Sequence, residues 1–222
     1  MKLLAIADLH GDYSKVEALL KKAGNFDLVL LAGDLTDFGP DEKAEELFKI
    51  LDKFGKPVFA IPGNCDLKSL PKTLEKTKVT NLHARAKTFG NIHFLGLGGS
   101  NPTPFDTPFE LSEEEIEKSL EELISSAESS KNCERLVLLT HAPPLGACDE
   151  IPSGHVGSAA IGKVAPRVDL IICGHIHEAK GVEKIGNAII VNPGEACKGS
   201  CALITLAESD KEKPIDVKLI EV

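Results

Sequence analysis

The stretch Lys2-Leu3-Leu4-Ala5-Ile6-Ala7-Asp8-Leu9-His10 decides the fold. An apolar run follows Lys2 and stops at Asp8. Its length suits a strand, and its lack of polar alternation means that both faces are buried. Working outward, Ser14–Ala23 reads as a helix with Ser14 as N-cap, and Asp27–Ala32 as a second strand. Pro40–Phe54 reads as a helix with Ala44, Leu47, Phe48 and Leu51 on one face, and Pro57–Ile61 as a third strand. This β-α-β-α-β rhythm predicts a mostly parallel sheet covered by helices.

Further along, Val79–Leu82, Ala84–Phe89 and Asn91–Leu97 read as short strands of a second pattern, with a turn at Phe89-Gly90-Asn91. Gly98–Phe109 is a polar, proline-rich loop. Ser112–Glu128 reads as a helix, with Ser112 and Glu115 spaced as a capping box. Leu136–Leu139 and Leu170–Cys173 are again buried strands, and Pro143–Gly157 between them is a long loop of the kind that carries function. The chain then turns all β: Ala179–Ile185, Asn187–Val191, Cys201–Leu206 and Val217–Ile220, with a turn around Gly186-Asn187. The expectation is one domain over residues 1–222, of class α/β. It would be a four-layer αββα sandwich of two mixed β-sheets flanked by helices, with its site beyond the carboxyl ends of the strands.

The chain has 222 residues and a formal charge of −9, from 25 basic and 34 acidic side chains. That balance argues against a broad nucleic-acid or anionic-membrane surface. It leaves room for an anionic substrate, because bound cations would dominate the local field. No stretch is long enough to span a bilayer. The apolar start is too short for a signal peptide, and Asp8 ends it without a small-residue cleavage site. We therefore expect a cytoplasmic protein whose 6 Cys are reduced thiols. Cys197 and Cys201 come closest to a pair, at a spacing that suits neither a zinc knuckle nor a redox motif. No Gly-x-Gly-x-x-Gly follows a strand, so a dinucleotide site is not supported.

Five short clusters each end an apolar run: Asp8-Leu9-His10, Gly33-Asp34, Gly63-Asn64-Cys65-Asp66, Thr140-His141-Ala142 and Gly174-His175-Ile176-His177. A carboxylate, an imidazole and an amide oxygen are the donors that hard-to-borderline metal ions take. In a two-residue step such as Asp8 to His10, side chains return to the same side and can face one ion. Asp34 has two oxygens and can bridge two ions. Taken singly each cluster has a bland alternative: a turn Asp, a turn Asn, a surface His. The whole set, in this order behind these runs, points to a binuclear metal hydrolase.

The set resembles that of the calcineurin-like metallophosphoesterases, whose motifs are Asp-x-His, Gly-Asp, Gly-Asn-His-Asp/Glu, a lone His and Gly-His-x-His. The resemblance covers roughly residues 3–195. It implies a first metal on Asp8, His10, Asp34 and His177, and a second on Asp34, Asn64, His141 and His175. It implies two divalent ions, Mn²⁺ first and Fe, Zn or Ni as alternatives, since imidazole does not name the metal. It also implies a small-molecule phosphate ester as substrate, hydrolysed by a metal-bridging hydroxide. One departure stands out. Cys65 occupies the place where most of the family has a His thought to assist the leaving group, and a thiol is a poor donor. Short prokaryotic members that carry Gly-Asn-Cys-Asp are similar to phosphodiesterases, which makes that activity the expectation here. Asp66 is expected to support a ligand from behind. His155, in Ser153-Gly154-His155-Val156-Gly157, is the candidate for the missing acid, with an exposed loop His as its alternative. His83 and His93 read as structural. Asn192-Pro193-Gly194-Glu195 is either a site rim or a plain turn. The rival readings are a phosphomonoesterase, a non-catalytic adaptor on the same scaffold, a lactamase-like zinc enzyme and a nuclease. An adaptor predicts missing ligands, the zinc enzyme a His-x-His-x-Asp-His block, and the nuclease a basic groove; none of these is seen. A homo-oligomer remains open.

Overall fold

A computed structural model describes residues 1–129, 135–207 and 214–222. In chain order the first half is β1 (Lys2–Ile6), α1 (Val16–Ala23), β2 (Leu28–Ala32), α2 (Ala44–Asp52), β3 (Val58–Ile61), α3 (Leu70–Leu74) and β4 (Thr80–Asn81). These four strands run parallel to one another, each joined to the next through a helix. Then come β5 (Arg85–Phe89), β6 (Ile92–Leu97), α4 (Glu113–Glu128), β7 (Arg135–Thr140), β8 (Glu150–Ile151), β9 (Gly154–His155), α5 (Ala159–Val164) and β10 (Leu170–Ile172). The chain closes with β11 (Gly181–Ile185), β12 (Ala188–Asn192), β13 (Ser200–Thr205) and β14 (Asp216–Glu221).

Two mixed six-stranded sheets result, in the orders β14-β13-β1-β2-β3-β4 and β11-β12-β10-β7-β6-β5. They stack face to face with helices outside, which is the expected αββα sandwich. The pleat explains the layers. In β1, Leu4 and Ile6 pack outward under α1 and α2, while Leu3 and Ala5 pack inward between the sheets. In β2, Val29 and Leu31 go outward, and Leu28, Leu30 and Ala32 inward. α4 and α5 cover the second sheet through Ile116, Leu120, Ile124, Ile161 and Val164. Each such side chain removed from water contributes about 1.5–3 kcal/mol. A strand with both faces buried cannot alternate in sequence, which is why these strands read as continuous apolar runs.

Several local expectations change. α1 begins at Val16 and its N-cap is Lys15, with no side-chain cap. The Ser14 amide instead donates to Asp12 Oδ1 at 2.9 Å, closing a turn ahead of the helix. The Pro40–Phe54 helix opens with a 3-10 turn, Asp41–Lys43, before α2. β4 pairs with β3, so Val79–Leu82 belongs to the first sheet and not with the two strands after it. The long loop 143–157 contains the small β8–β9 hairpin. The capping box of α4 is present: the Glu115 amide donates to Ser112 Oγ at 3.2 Å and the Ser112 amide to Glu115 Oε2 at 2.8 Å. The five cysteines among the described residues are free, and Cys133 lies outside those residues. Among the described residues, no helix is long and apolar enough to cross a membrane.

Candidate metal centre

The carboxyl ends of β1, β2, β3, β7 and β10 meet at one edge of the sandwich. Asp8, Asp34, Asn64, His141 and His175 each follow one of these strands within a few residues. Four residues of the clusters take the left-handed backbone that side chains disfavour: Asp8 (φ 55°), His10 (φ 45°), Asp34 (φ 50°) and His175 (φ 70°). Each such residue costs of order 1–3 kcal/mol, and such strain gathers at functional sites. The glycines beside them allow the loops to touch. A Cβ on Gly63 would lie 2.0 Å from Asp34 Oδ1, one on Gly33 2.5 Å from His141 Nδ1, and one on Gly174 2.5 Å from Asp8 Oδ2.

Three groups of donor atoms form, each with its atoms within 4.8 Å of one another: Asp8, His10 and His177; Asp8, Asp34 and His141; His10, Asp34 and Cys65. His10 Nε2 lies 3.4 Å from His177 Nε2 and 3.7 Å from Asp34 Oδ2. His177 Nε2 lies 3.5 Å from Asp8 Oδ1. His141 Nε2 lies 3.3 Å from Asp34 Oδ2. Asn64 Oδ1 faces both His141 Nε2 and His175 Nδ1 at 2.8 Å. All seven residues that the clusters predicted as ligands thus converge, and Asp34 stands between the two sets.

The surroundings fix how these groups point. The Ala32 carbonyl can only accept, so His141 Nδ1, 2.8 Å away, carries a proton and Nε2 faces the centre. Glu195 Oε1 lies 3.2 Å from His177 Nδ1 and orients that ring in the same way. The Asn64 side-chain amide donates to Thr107 Oγ1 at 3.1 Å, which turns its oxygen inward. Asp66 is fully buried. Its Oδ1 accepts from the Thr36 amide and hydroxyl at 2.7 Å, and its Oδ2 from the amides of Gly63 at 2.8 Å and Leu35 at 3.0 Å. It therefore clips the Asp34 loop to the Asn64 loop.

Charge is out of balance at this edge. Asp8 and Asp34 are 1% and 2% exposed, and their carboxylates sit side by side. Two buried, adjacent anions are costly without positive charge between them. The chain alone compensates with His141: burial disfavours its cation, but Asp34, Asp8 and their hydrogen bonds outweigh that and raise its pKa to about 9. Burial and the neighbouring His141 charge push His175 down to about 4. Burial opposes ionisation of Asp34, yet His141 and His10 hold it below the usual carboxylate range. Burial and the Asp34 charge raise Asp66 to about 6. Buried carboxylates, inward-facing imidazole nitrogens and an amide oxygen on one point fit divalent ions, which supply the missing charge.

The remaining expectations fare differently. Cys65 is half-buried; its amide donates to Asp34 Oδ1 at 2.8 Å. Burial and the Asp34 charge push its thiol well above the ordinary range. His155 belongs to none of the three donor groups. It stands on β9, half exposed, with Nδ1 2.7 Å from Oδ1 of the fully buried Asp149. That hydrogen bond, then the charge of Asp149, raises its pKa. His83 is structural: its Nδ1 accepts from the Gly98 amide at 3.0 Å and its ring packs on Phe109. Sequence reasoning missed Asp149 and Thr107, because nothing in a lone Asp or Thr distinguishes it from a turn residue. Glu195 was in view as a rim residue, and the geometry gives it the His177 contact.

A family model described as calcineurin-like phosphoesterase matches residues 1–179. An uncharacterized protein of Methanocaldococcus jannaschii is 38% identical over 203 residues, 87% of this chain and 88% of that protein. A 3′,5′-cyclic adenosine monophosphate phosphodiesterase, CpdA, of Haemophilus influenzae is 26% identical over 215 residues, 87% of this chain and 76% of that protein. Among solved structures, a dimetal phosphatase from Danio rerio superposes with a TM-score of 0.68 at 14% identity, covering 99% of this chain and 95% of that one. At that identity the likeness speaks to the fold.

Proposed function

The chain belongs to the calcineurin-like phosphoesterase family, and from that premise we propose that it is a binuclear-metal phosphodiesterase acting on a small phosphate ester. The observation that carries the reading is the buried pair Asp8 and Asp34, side by side and ringed by inward-facing nitrogens. Asp8, His10, Asp34 and His177 would hold one ion, and Asp34, Asn64, His141 and His175 the other. Bound there, the ions supply Lewis acidity toward the phosphoryl oxygens and a nucleophile from water near neutral pH. The named relative in Haemophilus influenzae, a phosphodiesterase, supports the diester over the monoester.

The chain's own residues then have distinct tasks. Asp66 keeps the Asp34 and Asn64 loops in register through its buried hydrogen bonds. Glu195 and the Ala32 carbonyl keep His177 and His141 turned inward. Cys65, whose thiol is a weak donor, leaves the departing oxygen poorly served. His155 is the proposed proton donor. Asp149 holds its Nδ1, so Nε2 is the ring nitrogen left for the departing oxygen, and the Asp149 contact favours the protonated ring. Ile151 and Ser153 of the hairpin that carries it line a cleft leading to His175, and His155 itself is not part of that lining. The testing experiment is a panel of phosphate mono- and diesters with purified, chelated protein and metals returned one at a time. Diester turnover restored by Mn²⁺ supports the reading. Turnover that is independent of metal, or confined to monoesters, refutes it.

A further inference from the structure

The two long loops meet beside the centre. Residues 98–109 and 143–157 enclose a cleft of about 610 Å³ that reaches His175. Pro102, Pro104 and Phe105 form one wall, and Ile151 and Val156 the other. Its size is that of a ligand site, and its walls are mainly apolar. The walls are built in advance. The Asn101 amide donates across the cleft to the Val156 carbonyl at 3.2 Å. Glu110 Oε1 accepts from the hydroxyls of Thr103 and Thr107, both at 2.6 Å, and pins the first loop to itself. The Phe105 amide donates to Thr103 Oγ1 at 3.1 Å, so the backbone carrying that ring is anchored.

Phe105 is nonetheless 80% exposed, the most open of the large apolar side chains among the described residues. An aromatic ring held in water on an anchored loop, over an apolar cleft that ends at the proposed metal centre, is placed to receive another flat ring. We propose that this cleft is the subsite for an aromatic group esterified to the substrate phosphate, with Phe105 stacking on that group. The inference rests on the phosphoesterase reading, since the phosphate must sit by His175 for the ring to reach the cleft. A rigid ring loses little freedom on binding, and aromatic pairs gain beyond their buried area. A flexible alkyl chain of similar size has neither advantage.

The test uses phosphonates, whose carbon–phosphorus bond is not hydrolysed. Methyl-, hexyl- and phenylphosphonate are titrated calorimetrically into Mn²⁺-loaded wild-type protein and Phe105→Ala. Phenylphosphonate should bind about tenfold more tightly than methylphosphonate, the scale of one stacked ring, and more tightly than hexylphosphonate. Phe105→Ala should erase most of that advantage and leave methylphosphonate affinity within about twofold, because a loop-tip side chain this exposed carries little packing. Equal affinity for methyl and phenyl overturns the proposal, as does hexyl binding as well as phenyl, or an unchanged phenyl affinity in the variant. If turnover of a nitrophenyl diester persists while the series is flat, the subsite alone is wrong. If no phosphonate binds in a Mn²⁺-dependent way and no diester turns over, the underlying reading falls with it.

Discussion

Gly63→Ala is the sharpest perturbation that the geometry offers. Gly63 has an ordinary backbone, so the substitution adds no conformational strain of its own. The added Cβ would stand 2.0 Å from Asp34 Oδ1 and 2.3 Å from the Asp34 amide nitrogen. Ordinary contact begins at 3.4 Å, so the carboxylate must retreat by the difference, 3.4 − 2.0 = 1.4 Å, or the loop must move with it. The backbone nitrogen closes the easy escape, and Asp66 ties the Gly63 amide in place at 2.8 Å. Overpacking of this kind costs roughly 1–3 kcal/mol, a fall in melting temperature of roughly 2–12 °C for a chain this long. A displacement near 1 Å in a reacting constellation costs about 10²-fold in rate. The assay is turnover of bis(p-nitrophenyl) phosphate with Mn²⁺, beside thermal melts followed by circular dichroism. Gly181→Ala serves as control, since its backbone is outside the left-handed region and its Cβ would meet nothing nearer than the Ala179 carbonyl oxygen at 4.0 Å. Turnover of Gly63→Ala within about threefold of wild type, in a folded protein, would refute the claim that the close approach of these two loops positions Asp34.

Other outcomes follow from neighbouring contacts. Glu195→Gln should weaken Mn²⁺ binding by about 10–100-fold, as loss of a carboxylate behind a metal-binding His does; a dialysis isotherm that does not move counts against it. With Cys65 a poor donor, nitrophenyl diesters should turn over much faster than alkyl diesters, and a rate series blind to the leaving-group pKa would contradict this when chemistry limits turnover. His155→Ala should cut turnover of alkyl diesters by roughly 10²-fold or more with metal content retained, and Cys65→His should recover part of the loss. The sign of the pH effect is fixed by the acid's role. His155 donates only when protonated, and its pKa is raised by Asp149. Alkyl-diester turnover in wild type should thus persist above the ordinary histidine range and fall as pH rises further, with the fall moved to lower pH in Asp149→Asn.

The layers and the convergence of the clusters were legible because both rest on strands buried on two faces. Runs such as Leu28–Ala32 leave no polar alternation, and each run stops where its last residue reaches the rim. What stayed hidden was short or distant. α5 spans six residues and contains Gly162, too little for a helical period to register. Ser14 has the right chemistry for a cap, yet Asp12 takes its amide, and the helix waits until Val16. β4 has two residues, and only its pairing with β3 reveals its sheet. The partners that orient the site were harder still. Thr107 lies far in sequence from Asn64, which it orients, Asp149 is only six residues from His155 but looks like any loop Asp, and the loops 98–109 and 143–157 carry no period from which their meeting could be read.

Every role proposed for these residues depends on Asp34 being shared by two ions. Equilibrium dialysis of Mn²⁺ against chelated wild-type protein and Asp34→Asn, with diester turnover followed on the same samples, tests it most directly. Two ions per wild-type chain are expected, with a sharp loss of both metal and turnover in Asp34→Asn. A wild-type chain that binds one ion or none, or an Asp34→Asn variant that regains wild-type activity when Mn²⁺ is returned after chelation, would contradict it.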